Sequence, residues 1–484
     1  MTVVPSARMR GPLLAGFEKS LVDRGDETAI FALSEGRKLS FRDLALEADH
    51  IETALAESGV PEGSCVLELV GNRASWFALL LACLARGNTL LSLGAEASSA
   101  EIGKLRSRYR ASAIVQSAAR PGPTGRASML PGKLQLIVLE RDDPALFEDT
   151  LFLKLTSGSS GEPKAVVVSE ANLWNDGRHV VEAMGIRTND VNYGVIPLSH
   201  SYGLGNLVAP LLTQGTPLAL RELFLPGQLG EDARVTSLSV LPGVPFLLEQ
   251  VLNQLRGRGG LPSTLRLLIT AGARIDPDLV TSFKQELGAK IHSFYGSSET
   301  GGITYDDQDE VSDPLTVGKA MPETAVTIRR DERIHVGGNA VARGYVETSD
   351  DAMGTFVDNG FLSGDVGAFD DHGRLFLTGR LSSFVNVAGR KVNPAETENV
   401  LLTMPDVADA KVLGLPCAKR GQKLVAFIVP RSPHLNPIEL RSYCAEKLSP
   451  YKIPRDLILL EAMPLTDRGK VDRRALEELM PKET

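Results

Sequence analysis

The sequence predicts an α/β protein with a large layered N-terminal region of sheets and helices and a small mobile α+β C-terminal domain. Two observations carry this reading. Segments of strand and helix character alternate over much of the chain, the pattern of a layered domain with an at least partly parallel sheet. Beyond Arg380 the text starts again as a compact unit, after a stretch of acidic turns and short strands, FLSGDVGAFDDHGRLFLTGR. The length of 484 residues agrees, because a prior of about 150 residues per domain gives roughly two to four units. The expected division is residues 1–380, a hinge at 381–384, and residues 385–484.

Each element has a local reason. Ser40 caps a helix with Asp43 three positions on, Leu44, Ala48, Ile51 and Leu55 recur at helical spacing, and Gly59 stops it. A strand at Cys65 to Leu69, a helix from Ala74 to Arg86 and a strand at Thr89 to Leu93 follow. Ala119 to Lys133, the stretch richest in proline and glycine, reads as an exposed loop. A helix is expected near Glu170 to Met184. Another starts at Asp276 and Pro277, with Leu279, Phe283 and Leu287 on one face and Gly288 at its end. The strand Lys290 to Phe294 then enters a loop of glycines and hydroxyls, and Asp370 to Gly373 read as a hairpin turn. In the last unit, strands are expected at Lys411 to Leu415 and Leu424 to Val429. A helix follows from Asn436 and Pro437, with Leu440, Cys444 and Leu448 inward. No periodic repeat is visible.

Composition is that of an ordinary globular protein, with 23% charged residues. A formal charge of −8 argues against binding nucleic acid or an anionic membrane, yet leaves room for a local basic site that holds nucleotide phosphates. Cys65, Cys83, Cys417 and Cys444 are far apart, so neither a zinc site nor a disulfide framework is implied and all four read as core thiols. The longest apolar run, Trp76 to Ala85, is ten residues, well short of the roughly 20 that span a bilayer. No sustained apolar segment follows Arg8 and Arg10, so no secretory signal is expected, and the default location is cytoplasmic.

The stretch most open to chemistry is LKLTSGSSGEPKAVVVS. An apolar run from Leu151 to Leu155 leads into Thr156, Ser157, Gly158, Ser159, Ser160 and Gly161, then Lys164, and reads as strand, loop, strand. Glycines let backbone N–H groups turn inward, the hydroxyls add donors and Lys164 brings positive charge, a combination that suits a polyphosphate. It is not a Walker A sequence, because Lys164 follows Pro163 and precedes Ala165. A Gly/Ser surface turn reads the same when taken alone.

Other strings occur in a fixed order: PLSHSYGL with His200, AGAR at Ala271 to Arg274, YGSSETGG with Tyr295 and Glu299, SGDVG with Asp365, TGR with Arg380, NVAGRKVNPAE with Gly389, and PLTDRGKVDR with Lys470. Together they resemble the adenylate-forming superfamily of acyl-CoA synthetases, peptide-synthetase adenylation domains and beetle luciferases, over nearly the whole chain. The resemblance implies an ATP-dependent, magnesium-requiring enzyme that converts a carboxylic acid to an acyl-AMP and passes the acyl group to coenzyme A. The phosphopantetheine of an acyl or peptidyl carrier protein is the alternative acceptor, since YGSSETGGITY is similar to ligases that accompany lipid or polyene biosynthesis. A non-catalytic nucleotide-binding scaffold, or luciferase-like oxygenation, would keep the same fold.

By the same resemblance, the Thr156 to Lys164 loop holds the β- and γ-phosphates. Tyr295 and Gly296 meet adenine beside the small Gly272 and Ala273. Asp365 accepts from the ribose hydroxyls, Arg380 donates to ribose or phosphate, and Ser298 and Thr300 flank the magnesium ligand Glu299 as phosphate contacts. Lys470 bridges the attacking carboxylate and the α-phosphate. Gly389 lets a pantetheine arm pass close to the backbone after rotation about the hinge. His200 shapes or gates the acyl pocket or serves as a base, or merely packs, and Ser201, Tyr202, Gly203 and Gly301 line the pocket with it. The FD pair of amino-acid-activating members is missing from HSYGLGN, which favours an acid with a mostly apolar aliphatic or aromatic body. Two departures stand out. Leu381, Ser382 and Ser383 replace the usual Lys and Asp at the hinge, with Ser383 at the hinge position, and Glu332 and Arg333 replace a Gly-Glu before IHVGGNAVARGY.

Overall fold

The computed structural model describes all residues except 1–10, 96, 122–125, 140–142, 158–162, 258–259, 312, 347–353, 381–384, 388–389, 393, 418–420, 434, 449–451, 467–470 and 481–484. Two large sheets dominate the first two thirds. One has nine strands, with a parallel centre of Thr28–Ala32, Leu218–Leu220, Asn192–Gly194, Val240–Gly243, Leu267–Thr270 and Ile291–Ser297. Its antiparallel edges are Arg37–Ser40 on one side and Gly301–Tyr305 with Lys319–Ala320 on the other. The second has eight strands in the order Gly344–Tyr345, Pro163–Val168, Phe152–Ser157, Thr89–Ser92, Cys65–Leu69, Ala113–Ser117, Leu134–Val138 and Arg126–Leu130.

Helices fill the space between the sheets. Ala74–Arg86 is buried along nearly its whole length, which explains an apolar run that shows no polar face, and its Trp76 stacks on Phe152 with ring centroids 6.2 Å apart. Burying an indole N–H requires an acceptor. Trp76 Nε1 finds it in Glu68 Oε1 at 2.9 Å, and burial pushes the Glu68 carboxyl up. Phe41–Glu57 presents Leu44, Ala48, Ile51 and Leu55 to the same core, and its start carries the capping box that Ser40 and Asp43 predict.

A smaller five-stranded sheet follows, made of Thr324–Ile328, Arg333–Gly338, Gly360–Phe369, Gly354–Val357 and Leu375–Arg380. The last sheet joins Arg390–Val392, Val385–Val387, Gly421–Pro430, Val407–Cys417 and Asp456–Leu459, covered by the helices Pro394–Leu402 and Pro437–Lys447. Its core includes Val412, Ala426, Leu440 and Cys444. Cys65, Cys83 and Cys444 are buried free thiols, and burial alone pushes Cys65 up to about 12. Among the described residues no helix is long and apolar enough to cross a membrane.

Three expectations need correction. Ala119 to Lys133 is not simply an exposed loop, because Arg126–Leu130 is an edge strand paired with Leu134–Val138; four of its five side chains face solvent, so no apolar alternation betrays it. The acidic stretch after Phe361 is not a set of short strands. It contains the ten-residue strand Gly360–Phe369, which turns at Asp370 to Gly373 into Leu375–Arg380. The run Leu151 to Leu155 is not wholly apolar, since Lys154 sits in it, 7% exposed.

The departure at Glu332 has a definite geometry. Arg329 and Arg333 close a three-residue loop, with Glu332 N donating to Arg329 O and Arg329 N to Arg333 O, both at 2.9 Å. Glu332 takes the left-handed conformation at φ 64° that glycine adopts without cost in such hairpins. Arg333 then donates from Nε to Ser363 O at 2.8 Å and from Nη2 to Leu362 O at 3.1 Å, tying the hairpin to the neighbouring strand. Replacing Glu332 with glycine should therefore stabilise the protein by about 0.5–1 kcal/mol, the left-handed penalty less the extra entropy of glycine in the unfolded chain. A urea titration checks this; an unchanged or lower midpoint would show that Glu332 is not strained.

Candidate active site

Two hairpins build the centre. The strands Phe152–Ser157 and Pro163–Val168 pair antiparallel, with Thr156 opposite Lys164, so the lysine returns to the level at which the hydroxyl run begins. Gly344–Tyr345 pairs onto the second of these strands. That register sets Lys164 Nζ over the Tyr345 ring, 5.2 Å from its centroid, and Tyr345 in turn donates from its hydroxyl to Glu299 Oε1 at 2.9 Å. A cation, an aromatic ring and a carboxylate thus form one chain of contacts. Tyr345 escaped the sequence reading; a tyrosine ending a strand carries no signal by itself.

The second hairpin runs from Ile291–Ser297 through a tight turn into Gly301–Tyr305. Glycine is required twice at this turn. Gly301 has φ 69°, and a Cβ on Gly296 would lie 2.6 Å from Gly301 O. Glu299 is held by its own backbone, its carbonyl accepting from Ala342 N at 2.7 Å and its N–H donating to Ser297 Oγ at 3.2 Å. Thr300 is buried, with Oγ1 3.0 Å from Ser297 Oγ. Ser298 accepts from Ser201 Oγ at 2.8 Å, which brings the segment of His200 onto the same turn.

His200 is exposed and leads into the short helix Ser201–Gly203, while a Cβ on Gly203 would come 2.1 Å from Pro197 O. Asn72, from the other sheet, fixes this segment by donating to Ile196 O at 2.9 Å and accepting from Leu198 N at 2.9 Å. The sequence reading passed over Asn72. Tyr202 donates its hydroxyl to Ile269 O at 3.1 Å and stacks on Phe294 with centroids 5.8 Å apart, so its ring forms a wall beside the turn.

Upstream on the same strand, Tyr295 packs with Ile303, Ile334, Val336 and Leu375 and is 8% exposed. Its hydroxyl donates to Asp365 Oδ2 at 2.8 Å, and Arg380 Nε meets Asp365 Oδ1 at 3.1 Å. Burial, then the Asp365 charge, pushes the Tyr295 hydroxyl well above its usual range, so it stays a donor. Asp365 and Arg380 face each other because Gly360–Phe369 and Leu375–Arg380 pair in that register. Gly272 and Ala273 are exposed on the loop after Leu267–Thr270, with Gly272 at φ 82°. Arg274, next in that loop, donates to Asn399 Oδ1 at 2.6 Å across to the helix Pro394–Leu402.

Gly158, Ser159, Ser160, Gly161, Ser383, Gly389 and Lys470 lie outside the described residues, as does the side chain of Ser157. Two buried charges that the sequence reading missed, Lys154 and Asp176, lie beneath the Glu299 turn, where they line a small cavity with Ser298 and Gly301.

Comparison with known proteins identifies the family. Residues 17–346 match the AMP-binding enzyme family and residues 396–470 the AMP-binding enzyme C-terminal domain. The chain belongs to the AMP-binding enzyme family. It is 26% identical to a 2-succinylbenzoate–CoA ligase of Geobacillus kaustophilus, covering 93% of this chain and 95% of that protein. To an indoleacetate–CoA ligase of Aromatoleum aromaticum it is 27% identical, covering 93% and 94%. The solved o-succinylbenzoate CoA synthetase of Bacillus subtilis, in complex with its acyl-adenylate intermediate, has the same fold, with a TM-score of 0.80 at 22% identity over 98% of this chain and 99% of that one.

Proposed function

We propose that the protein is an AMP-forming acid:thiol ligase that joins a carboxylic acid to ATP as an acyl-AMP and then passes the acyl group to the thiol of coenzyme A. The observation that carries this reading is the bonded path from Lys164 through Tyr345 to Glu299, four residues along the chain from Tyr295, whose hydroxyl is tied to Asp365. Phosphate, metal and ribose contacts on three neighbouring hairpins would then be joined through the one that carries Tyr295 and Glu299. Among the described residues no group of three metal-binding side chains exists. A magnesium ion that arrives on a polyphosphate needs only one or two carboxylates, the rest of its shell being phosphate oxygen and water, and Glu299 fits that need.

In the first step the acid's carboxylate oxygen attacks the α-phosphorus and pyrophosphate leaves. The loop from Thr156 to Lys164 takes up the departing charge, and Lys470 draws the two anions together. In the second step the thiol sulfur attacks the acyl carbonyl, AMP leaves and the thiol proton is released. Gly389 gives the pantetheine arm room beside the backbone. The stacked rings of Tyr202 and Phe294 favour an acid with an aromatic or apolar body. A cytoplasmic location is part of the same proposal.

Acid-dependent exchange of labelled pyrophosphate into ATP tests the first step. A panel graded by length and aromaticity should yield at least one active acid, and silence across the panel would defeat the ligase reading. Free coenzyme A supplied after the exchange should then release AMP faster than a carrier protein bearing phosphopantetheine does.

A further inference from the structure

Beneath the turn of Ser298 and Glu299 lie two charged side chains for which the reaction above has no use. Lys154 stands in the strand Phe152–Ser157 and Asp176 in the helix Glu170–Met184, and they are 7% and 4% exposed. With Ser298 and Gly301 they line a cavity of about 10 Å³, room for about one water.

A buried charge persists only where counter-charge and hydrogen bonds offset its lost hydration. Those offsets are present. Asp176 Oδ1 accepts from Gly302 N at 2.8 Å, at the end of the turn. Burial pushes the Asp176 carboxyl up and the Lys154 ammonium down, while Lys154 opposes the first shift and Asp176 and Glu299 oppose the second.

Glycines make the space. A Cβ on Gly301 would lie 2.6 Å from Asp176 Cγ, and one on Gly205, in the segment Leu204–Val208, would lie 2.9 Å from Asp176 Oδ2. Helix, turn and the segment that follows His200 therefore converge on one carboxylate.

We propose that Lys154 and Asp176 are positioning residues for the turn at 297–302. Asp176 pins the Gly302 amide, Lys154 balances Asp176 and faces the Glu299 charge from below, and the pair sets where Ser298 and Glu299 present themselves. This rests on reading those two residues as contacts of the nucleotide and its metal. Neither positioning residue touches substrate.

Hydrogen exchange of the 297–305 hairpin and steady-state adenylation, measured on the full chain, test the pair together. Lys154→Met and Asp176→Ala should each speed exchange at the Gly302 amide about tenfold or more, as local opening becomes easier. Each should also lower kcat about tenfold or more while KM for the acid stays within about twofold, the mark of misplaced groups. The double variant Lys154→Met with Asp176→Asn leaves no buried charge and keeps an oxygen for Gly302 N, so both readouts should return to within about threefold of the parent. If Asp176→Ala does not fold, Asp176→Asn alone replaces it. Unchanged hairpin exchange, or variants that lose thermal stability while kcat per folded molecule holds, would overturn the proposal. The exchange arm needs no catalysis, so a parent chain inactive on every acid would defeat the ligase reading and still leave the pinning of the turn decided.

Discussion

Replacing Lys470 with alanine should lower acyl-AMP formation by about 10²–10³, the loss typical of removing one preorganised group that stabilises developing charge. ATP binding should change by less than about threefold, because the phosphate loop and Asp365 are untouched. The chain on either side of this lysine is anchored to the small domain. Leu465 and Val471 bridge antiparallel, Asp472 N donates to Pro464 O at 2.8 Å, and Asp472 caps the helix Arg473–Glu478. In the proposed role, the Lys470 charge matters most when carboxylate and α-phosphate approach each other and least once acyl-AMP exists. Pyrophosphate exchange should accordingly collapse in Lys470→Ala, while thioester formation from preformed acyl-AMP falls by less than about tenfold. Equal losses in both half-reactions would place Lys470 in general stability or in the thiol step.

Local rules made much of the frame legible. The box of Ser40 and Asp43, the proline and aspartate that open Pro277–Leu287, and Asn436 accepting from Ile438 N and Glu439 N all lie where sequence puts them. Such signals are made by neighbours in the chain and need no tertiary context. What stayed hidden depends on distant partners. Lys154 looks like an interruption of an apolar strand until Asp176 is brought beneath it, and Asn72 is an ordinary polar residue until it bonds a segment more than a hundred positions away. Arg126–Leu130 shows the converse limit, since its pairing with Leu134–Val138 is a backbone matter and its exposed side chains record nothing of it. Glu332 was visible as a misfit, yet only the hairpin bonds reveal that a left-handed conformation is what it has to sustain.

Asp365→Ala should raise KM for ATP about 10- to 100-fold with a much smaller effect on kcat, because hydrogen bonds donated to a charged acceptor are worth about 1.5–3 kcal/mol each. Ribose hydroxyls are held alike in the ground state and the transition state, so their loss appears as weaker binding rather than slower chemistry. The carboxylate is firmly held. Arg380 Nε meets Oδ1 at 3.1 Å, Tyr295 donates to Oδ2 at 2.8 Å and Ser363 Oγ accepts from Asp365 N at 2.9 Å, so the carboxylate has little freedom to turn away. Removing it also strands the buried Tyr295 hydroxyl, which costs about 1–3 kcal/mol of stability through an unsatisfied donor. Tyr295→Phe separates the two effects. That variant deletes the donor and keeps the ring, so KM for ATP should stay within about threefold of the parent, and Asp365→Ala made in the Tyr295→Phe background should lose less stability than Asp365→Ala alone. A kcat collapse in Asp365→Ala with KM for ATP unmoved would place the carboxylate at the reacting phosphate instead of the ribose.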